Sequence, residues 1–132
     1  MRFVVMPSRL RDMAKILIVD DSPTEQYVLA QHLQNAGHQT VTAGDGEEGL
    51  DVAKSEQPDL VLMDVVMPGL NGFQATRKLK RDPATAQIPV VIVTTKDQDT
   101  DREWGLRQGA SDYLVKPVEA SELLEKLGQL LD

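Results

Sequence analysis

The stretch KILIVDDSPTE, Lys15 to Glu25, decides the fold. Four apolar residues, Ile16 to Val19, run directly into adjacent carboxylates at Asp20 and Asp21. A short run that is apolar throughout and rich in β-branched residues predicts a strand buried on both faces, as in a parallel sheet. Ser22-Pro23-Thr24-Glu25 then reads as a helix start, with Ser as N-cap, Pro at the first position and Glu at the third. The two like charges thus fall at the carboxyl end of a buried strand, the edge at which open α/β sheets bind ligands.

The same alternation continues outward from this unit. Apolar runs recur at TVTA (40–43), LVLM (60–63), VVIV (90–93) and YLV (113–115). Amphipathic segments lie between them. The first carries Tyr27, Leu29, Ala30 and Leu33 and is ended by Gly37. Others run over Glu47–Ser55, Phe73–Leu79, Asp99–Gln108 and Ala120–Leu131. The pattern predicts an α/β fold: a (βα)5 doubly wound, five-stranded parallel sheet with right-handed crossovers and helices on both faces. The fourth helical segment is poor in apolar residues and is expected to pack least firmly. Gly128 inside the last segment should cost about 1 kcal/mol relative to Ala, and nothing in the sequence explains it.

The chain has 132 residues, 41% hydrophobic and 27% charged, which suits a single globular domain. It has no cysteine, so disulfides and thiolate metal sites are excluded. A formal net charge of −7 argues against general attraction to nucleic acid or anionic membrane and favours cations or basic surfaces as partners. No run approaches the roughly 18 apolar residues of a membrane span. The segment MRFVVMPSRLRD makes a poor signal peptide, with a short apolar run and no small-residue cleavage site. Residues 1–13 read as an extension, with Met13 a candidate native start, and 14–132 as one domain.

A third acid, Asp64, directly follows LVLM. If the first and third strands are neighbours, Asp20, Asp21 and Asp64 converge, and like charges at ~4 Å repel by several kcal/mol at an effective dielectric near 20. A cation or a retained proton must compensate. Oxygen-only ligands with open positions suit Mg²⁺, which binds through one or two carboxylates plus a phosphate. Thr94 ends VVIV and offers a hydroxyl. Lys116 ends the fifth strand and offers an ammonium, and Pro117 after it is a candidate cis proline. There is no Gly-rich phosphate loop and no Ser-His-Asp arrangement; His32 and His38 fall away from this edge and read as surface or packing residues.

The motifs ILIVDDS, LVLMDVVMPGLNG, IVTT and GASDYLVKP together resemble the CheY-like receiver domain of two-component response regulators. DDSPTE, MPGLNGFQATR and VTTKDQ are further similar to PilH-type regulators of type IV pilus twitching motility. The resemblance spans Lys15 to Asp132 and implies the flavodoxin-like strand order 2-1-3-4-5. It implies that Asp64 accepts a phosphoryl group from a histidine kinase, in a CheA-like system, and that the chain signals by binding a downstream protein. It implies Mg²⁺ held by Asp21, Asp64 and the Val66 carbonyl, with Asp20 holding a metal-bound water. Lys116 and Thr94 would contact the phosphoryl group, and Tyr113 matches an aromatic switch position. Val66 and Lys96 fall where the family tunes dephosphorylation. The output surface would be the fourth helix, fifth strand and fifth helix, with Trp104 on that surface and neighbouring Leu106 phased inward. A cytoplasmic monomer, not an enzyme beyond its own phosphorylation and dephosphorylation, completes the expectation. Three alternatives are a phosphate sink for a partner regulator, a small Mg²⁺-dependent phosphohydrolase and a flavodoxin-like FMN carrier. Hydrolases of the haloacid dehalogenase class place an Asp where Val66 stands, and Asp20-Asp21 would repel a flavin phosphate.

Overall fold

The computed structural model describes residues 13–131. The expected extension ahead of Met13 lies outside the described residues. Five strands alternate with five helices: β1 (Lys15–Val19), α1 (Pro23–Asn35), β2 (Gln39–Ala43), α2 (Gly46–Glu56), β3 (Leu60–Met63), α3 (Gly72–Arg81), β4 (Val90–Thr94), α4 (Asp99–Arg107), β5 (Asp112–Val115) and α5 (Ala120–Leu130). All pairings are parallel, in the order β2-β1-β3-β4-β5. β1 and β3 are direct neighbours, with Val19 opposite Met63, so Asp20 and Asp64 leave the sheet side by side.

Alternation along the strands divides the core. Ile16, Ile18, Leu60, Leu62, Val91 and Val93 face α1 and α5, whose Leu29, Leu33, Leu123 and Leu127 bury against them. Leu17, Val19, Val61, Met63 and Val90 face α2 and α3, which contribute Ala53, Ala75 and Leu79. A smaller cluster of Val65, Phe73, Ile92, Ala110 and Tyr113 lies beneath α4. Both faces of β1, β3 and β4 are covered, which explains their unbroken apolar sequence.

Local chemistry fixes the helix ends. The Ser22 hydroxyl accepts from the Glu25 N–H at 3.3 Å, with Pro23 in the first turn. Gly37, at φ 94°, carries the chain out of α1. Asn71 and Gln74 form a reciprocal capping box at the start of α3.

α4 departs from the sequence expectation at Leu106. Leu106 does not point inward: it is 41% exposed, and Trp104 is 50% exposed. Gly105 between them faces the sheet and is the buried residue of α4. A Cβ at Gly105 would stand 2.7 Å from Ile92 Cδ1 and 3.2 Å from the Tyr113 ring, so a side chain there has to displace the Ile92 terminus and press on the Tyr113 ring. Weak apolar packing of α4 therefore agrees with the sequence reading. Polar contacts tie it down instead: Arg102 donates to the Tyr113 carbonyl at 3.1 Å and to the Asp112 carboxylate at 3.3 Å.

The two helical glycines should respond oppositely to substitution. Gly105→Leu forces overpacking and is expected to cost about 1–3 kcal/mol. Gly128→Ala, whose added Cβ meets nothing within 4 Å, should gain about 0.5–1 kcal/mol from helix propensity. Urea denaturation measures both, and a destabilised Gly128→Ala would contradict this packing.

Candidate functional site

Asp20, Asp21, Asp64 and Lys116 stand just past their strands and Thr94 is the last residue of β4, all on one edge of the sheet. The Asp64 N–H donates to the Val19 carbonyl at 2.9 Å and the Asp20 N–H to the Ala43 carbonyl at 3.1 Å, so the ladders hold both acids in register as the strands end. Asp20, Asp21 and Asp64 place one carboxylate oxygen each within 4.8 Å of one another. Asp20 and Asp64 are buried, and Asp21 is exposed.

Lys116 compensates part of this charge. Its Nζ lies 2.7 Å from Asp20 Oδ2 and 3.7 Å from Asp64 Oδ2. Its N–H donates to the Thr94 carbonyl at 2.8 Å, which anchors it to β4, and the Lys116–Pro117 peptide is cis, as the sequence suggested. Glu25, read from sequence only as a capping residue, brings Oε2 to 3.7 Å from the same ammonium. Asp20 is fully engaged: Oδ1 accepts the Ser22 N–H at 2.9 Å while Oδ2 meets Lys116. Asp64 Oδ1 accepts the Val65 N–H at 2.8 Å.

Burial raises the Asp64 carboxyl above its ordinary value of 3.8; Lys116 opposes this, Asp20 adds to it, and the Val65 N–H and Thr94 hydroxyl lower it. For Lys116, burial works against the charged form, but the hydrogen bond to Asp20 and the charges of Asp64, Asp20 and Glu25 prevail and raise its pKa. Tyr113 is buried, and its hydroxyl is pushed up to about 12 by burial and the nearby charges of Asp101 and Asp97.

Thr94 is fully buried at the end of β4. The Lys96 N–H donates to Thr94 Oγ1 at 3.4 Å, and the Lys96 carbonyl accepts the Tyr113 hydroxyl at 2.8 Å. The Lys96 ammonium lies 3.8 Å from Asp101 on α4. Val66 is 58% exposed beside the acids. Trp104 stands on α4, away from the carboxylates, beside Thr100, Glu103 and Arg107. At the other end of β1, His38 is buried and accepts the Ala14 N–H at 3.0 Å, a packing role. His32 is half-buried on α1.

Gly72 is a site residue that the sequence reading did not single out. A Cβ there would fall 1.9 Å from the Asp64 carbonyl oxygen and 2.8 Å from Val65 Cα. The first turn of α3 therefore presses on the Asp64–Val65 backbone, and the Gly72 N–H donates to the Val65 carbonyl at 3.0 Å. The available clue was a glycine directly after a helix-capping Asn, in LNG.

The arrangement is an acid-rich, oxygen-only pocket with one ammonium and one hydroxyl. Three close carboxylates against one lysine leave a deficit of positive charge, which suits a hard divalent cation with open positions. The Val66 carbonyl accepts no hydrogen bond among the described residues.

The family model of the response regulator receiver domain matches residues 16–128. Protein PilH of Pseudomonas aeruginosa is 60% identical over 119 residues, covering 90% of this chain and 98% of that protein. Response regulator PleD of Caulobacter vibrioides is 43% identical over 117 residues, 89% of this chain but 26% of PleD. The structure of chemotaxis protein CheY4 of Vibrio cholerae superposes with a TM-score of 0.84 at 34% identity, covering 90% and 99% of the two chains. The receiver domain of sensor histidine kinase PA1611 from P. aeruginosa, solved with a magnesium ion coordinated in its active site cleft, gives 0.82 at 32% identity, covering 89% and 96%.

Two outcomes test the geometry. Because the folded state raises the Asp64 pKa, it holds a proton more tightly than the unfolded chain, and stability falls as pH rises from 3.8 through the folded value. In chelator, Asp64→Asn should be more stable than wild type at pH ~7, the difference vanishing below the ordinary carboxylate pKa. Equal stability at neutral pH would refute the strain. Gly72→Ala should cost about 1–3 kcal/mol or more in urea denaturation, far above an exposed substitution.

Proposed function

The chain belongs to the response regulator receiver family, and on that premise we propose that Asp64 is its phosphoacceptor and that the acidic pocket works with Mg²⁺. The supporting observation is the Asp64 carboxylate itself, buried at the end of β3 with Asp20 and Asp21 within 4.8 Å and the Lys116 ammonium at 3.7 Å. Asp21, Asp64 and the Val66 carbonyl would hold the ion, and the engaged Asp20 suits a contact through water. When bound, Mg²⁺ supplies the charge neutralisation that phosphoryl transfer chiefly needs.

The chain's own groups do the rest. An Asp64 oxygen attacks the phosphorus of a phosphohistidine: an O–P bond forms, the N–P bond breaks, and the leaving imidazole takes a proton. Lys116 faces the incoming phosphoryl oxygens, and its raised pKa keeps it charged at neutral pH. The Thr94 hydroxyl donates to a phosphoryl oxygen. Moving toward it draws on Lys96, whose carbonyl holds the Tyr113 hydroxyl, so the event at Asp64 reaches β5 and α4 through bonds of 3.4 and 2.8 Å. The output face is then α4, β5 and α5, where Trp104 is half exposed.

Val66 offers no group to position a hydrolytic water, and the Lys96 ammonium is turned toward Asp101. Self-dephosphorylation is therefore slow, which favours signal output over a phosphate sink. We place the protein with a histidine kinase of CheA-like type in the cytoplasm, in type IV pilus or chemosensory control, on its resemblance to PilH-type regulators. No helix among the described residues is long and apolar enough to cross a membrane.

Incubation with Mg²⁺ and acetyl phosphate should give a labile adduct on wild type and none on Asp64→Ala, read by intact-protein mass. Beryllofluoride with Mg²⁺ should shift the Trp104 fluorescence of wild type alone. Identical behaviour of the two proteins would exclude Asp64 as the acceptor, and rapid turnover of simple phosphoesters would favour a hydrolase.

A further inference from the structure

Most cations among the described residues have an acidic partner. Lys15 meets Glu56, Lys54 Asp82, Lys96 Asp101, Arg102 and Lys126 Asp112, Arg107 Glu103, and Lys116 Asp20. Lys80 donates to the carbonyls of Ala86 and Ile88. Among the described residues Arg77, Lys78 and Arg81 alone have neither an acidic nor a carbonyl partner, and all three are exposed on the outer face of α3, a helix with no acid of its own. Favourable contact with the helix C-terminus accounts for Lys78 and Arg81. It does not account for Arg77, which sits four residues before Arg81, where like charges destabilise a helix.

The neighbouring helix carries the complement. Glu47, Glu48 and Asp51 are exposed on α2 and make no ion pair among the described residues. α2 and α3 start from the same edge of the sheet and share one core cluster, so they lie side by side on one face. The acids sit in the first two turns of α2 and the bases in the second half of α3. At 1.5 Å rise per residue and a helix spacing near 10 Å, the patches are roughly 10–12 Å apart. Between them a cleft of about 220 Å³ is lined by Leu50, Lys54, Lys78, Leu79, Asp82 and Thr85.

We propose that two copies of this chain associate through this face in an antiparallel, two-fold arrangement, Arg77, Lys78 and Arg81 of each meeting Glu47, Glu48 and Asp51 of the other. Because acid and base lie on the same face, the contact is isologous and closes as a dimer. The exposed acids Glu119, which caps α5, and Glu122 and Glu125 within it lie on the opposite face, and pairing with them would build open chains instead. At physiological salt the Debye length is about 8 Å, so the mutual repulsion of two negative chains is screened while close contacts survive. The interface leaves α5 uncovered and does not use Asp64.

Sedimentation equilibrium at ~0.15 M salt tests this. Wild type should dimerise with Kd in the range of roughly 10–500 μM, as befits a small polar interface. The variants R77E/K78E/R81E and E47K/E48K/D51K should each self-associate at least about tenfold more weakly, and their equimolar mixture should recover a heterodimer. The neutral set R77Q/K78Q/R81Q, checked for helicity by circular dichroism, should also weaken the dimer, so misfolding of a reversed variant does not decide the matter. Asp64→Ala should dimerise as wild type does. A wild type that stays monomeric at ~1 mM, a dimer indifferent to these substitutions, or open-ended growth would each overturn the proposal.

Discussion

The structure is organised around one electrostatic constraint, the placing of three carboxylates within 4.8 Å of one another against a single lysine. At about 4 Å, each pair of like charges repels by on the order of 4 kcal/mol at an effective dielectric near 20. That repulsion is tolerable only because the sheet holds the groups in place. β1 and β3 must be adjacent to bring Asp20 beside Asp64, and β5 must be in register with β4 for the Lys116 N–H to reach the Thr94 carbonyl. Lys116 then crosses from the fifth strand to acids on the first and third. One ammonium for three carboxylates leaves a net charge near −2, and Glu25 deepens the deficit. The pocket is thus unstable as a purely structural feature and suited to a divalent cation and a phosphoryl group together.

The same edge connects to α4 through the backbone of Lys96. Its N–H holds the Thr94 hydroxyl and its carbonyl holds the buried Tyr113 hydroxyl, so two side chains with different surroundings share one peptide segment. The Tyr113 ring lies under Gly105, and the Tyr113 carbonyl accepts from Arg102 of the same helix. A displacement of Thr94 toward new negative charge can move this segment only by changing the contacts of Tyr113, and hence of α4. This is the kind of two-state element on which a local charge change can act.

Much of this was legible in the sequence, because it depends on residue type at strand ends. Apolar runs that end in Asp20-Asp21, Asp64, Thr94 and Lys116 specify both the parallel sheet and the edge where these polar side chains meet. What was not legible depends on distance. Gly72 and Gly105 look like ordinary helix-weakening residues until Gly72 is seen to leave no room for a Cβ against the Asp64 backbone and Gly105 to pack directly on the Ile92 and Tyr113 side chains. Leu106 was misjudged for that reason: periodicity assigns the inward position to the larger apolar residue, whereas close approach assigns it to glycine. Glu25 was equally hidden, since capping chemistry explained it fully before Lys116 was placed beside it. The link through Lys96 uses backbone atoms, to which the side-chain type gives no clue.

The unequal packing of the helices says which of them can move. α1 and α5 bury Leu29, Leu33, Leu123 and Leu127 in one continuous cluster, and each such side chain contributes roughly 2 kcal/mol of apolar burial. Displacing either helix would expose much of that surface. α4 buries one glycine and is otherwise held by Arg102 and by the Lys96–Asp101 pair, partly exposed ionic contacts of the class that contributes about 0–1 kcal/mol each. A ligand shifts an equilibrium only by its differential affinity for the two states. Rearranging α4 lies within the reach of a few new hydrogen bonds at the acidic edge, and rearranging α1 or α5 does not. The glycine that brings α4 onto the Tyr113 ring is therefore also what leaves it lightly held.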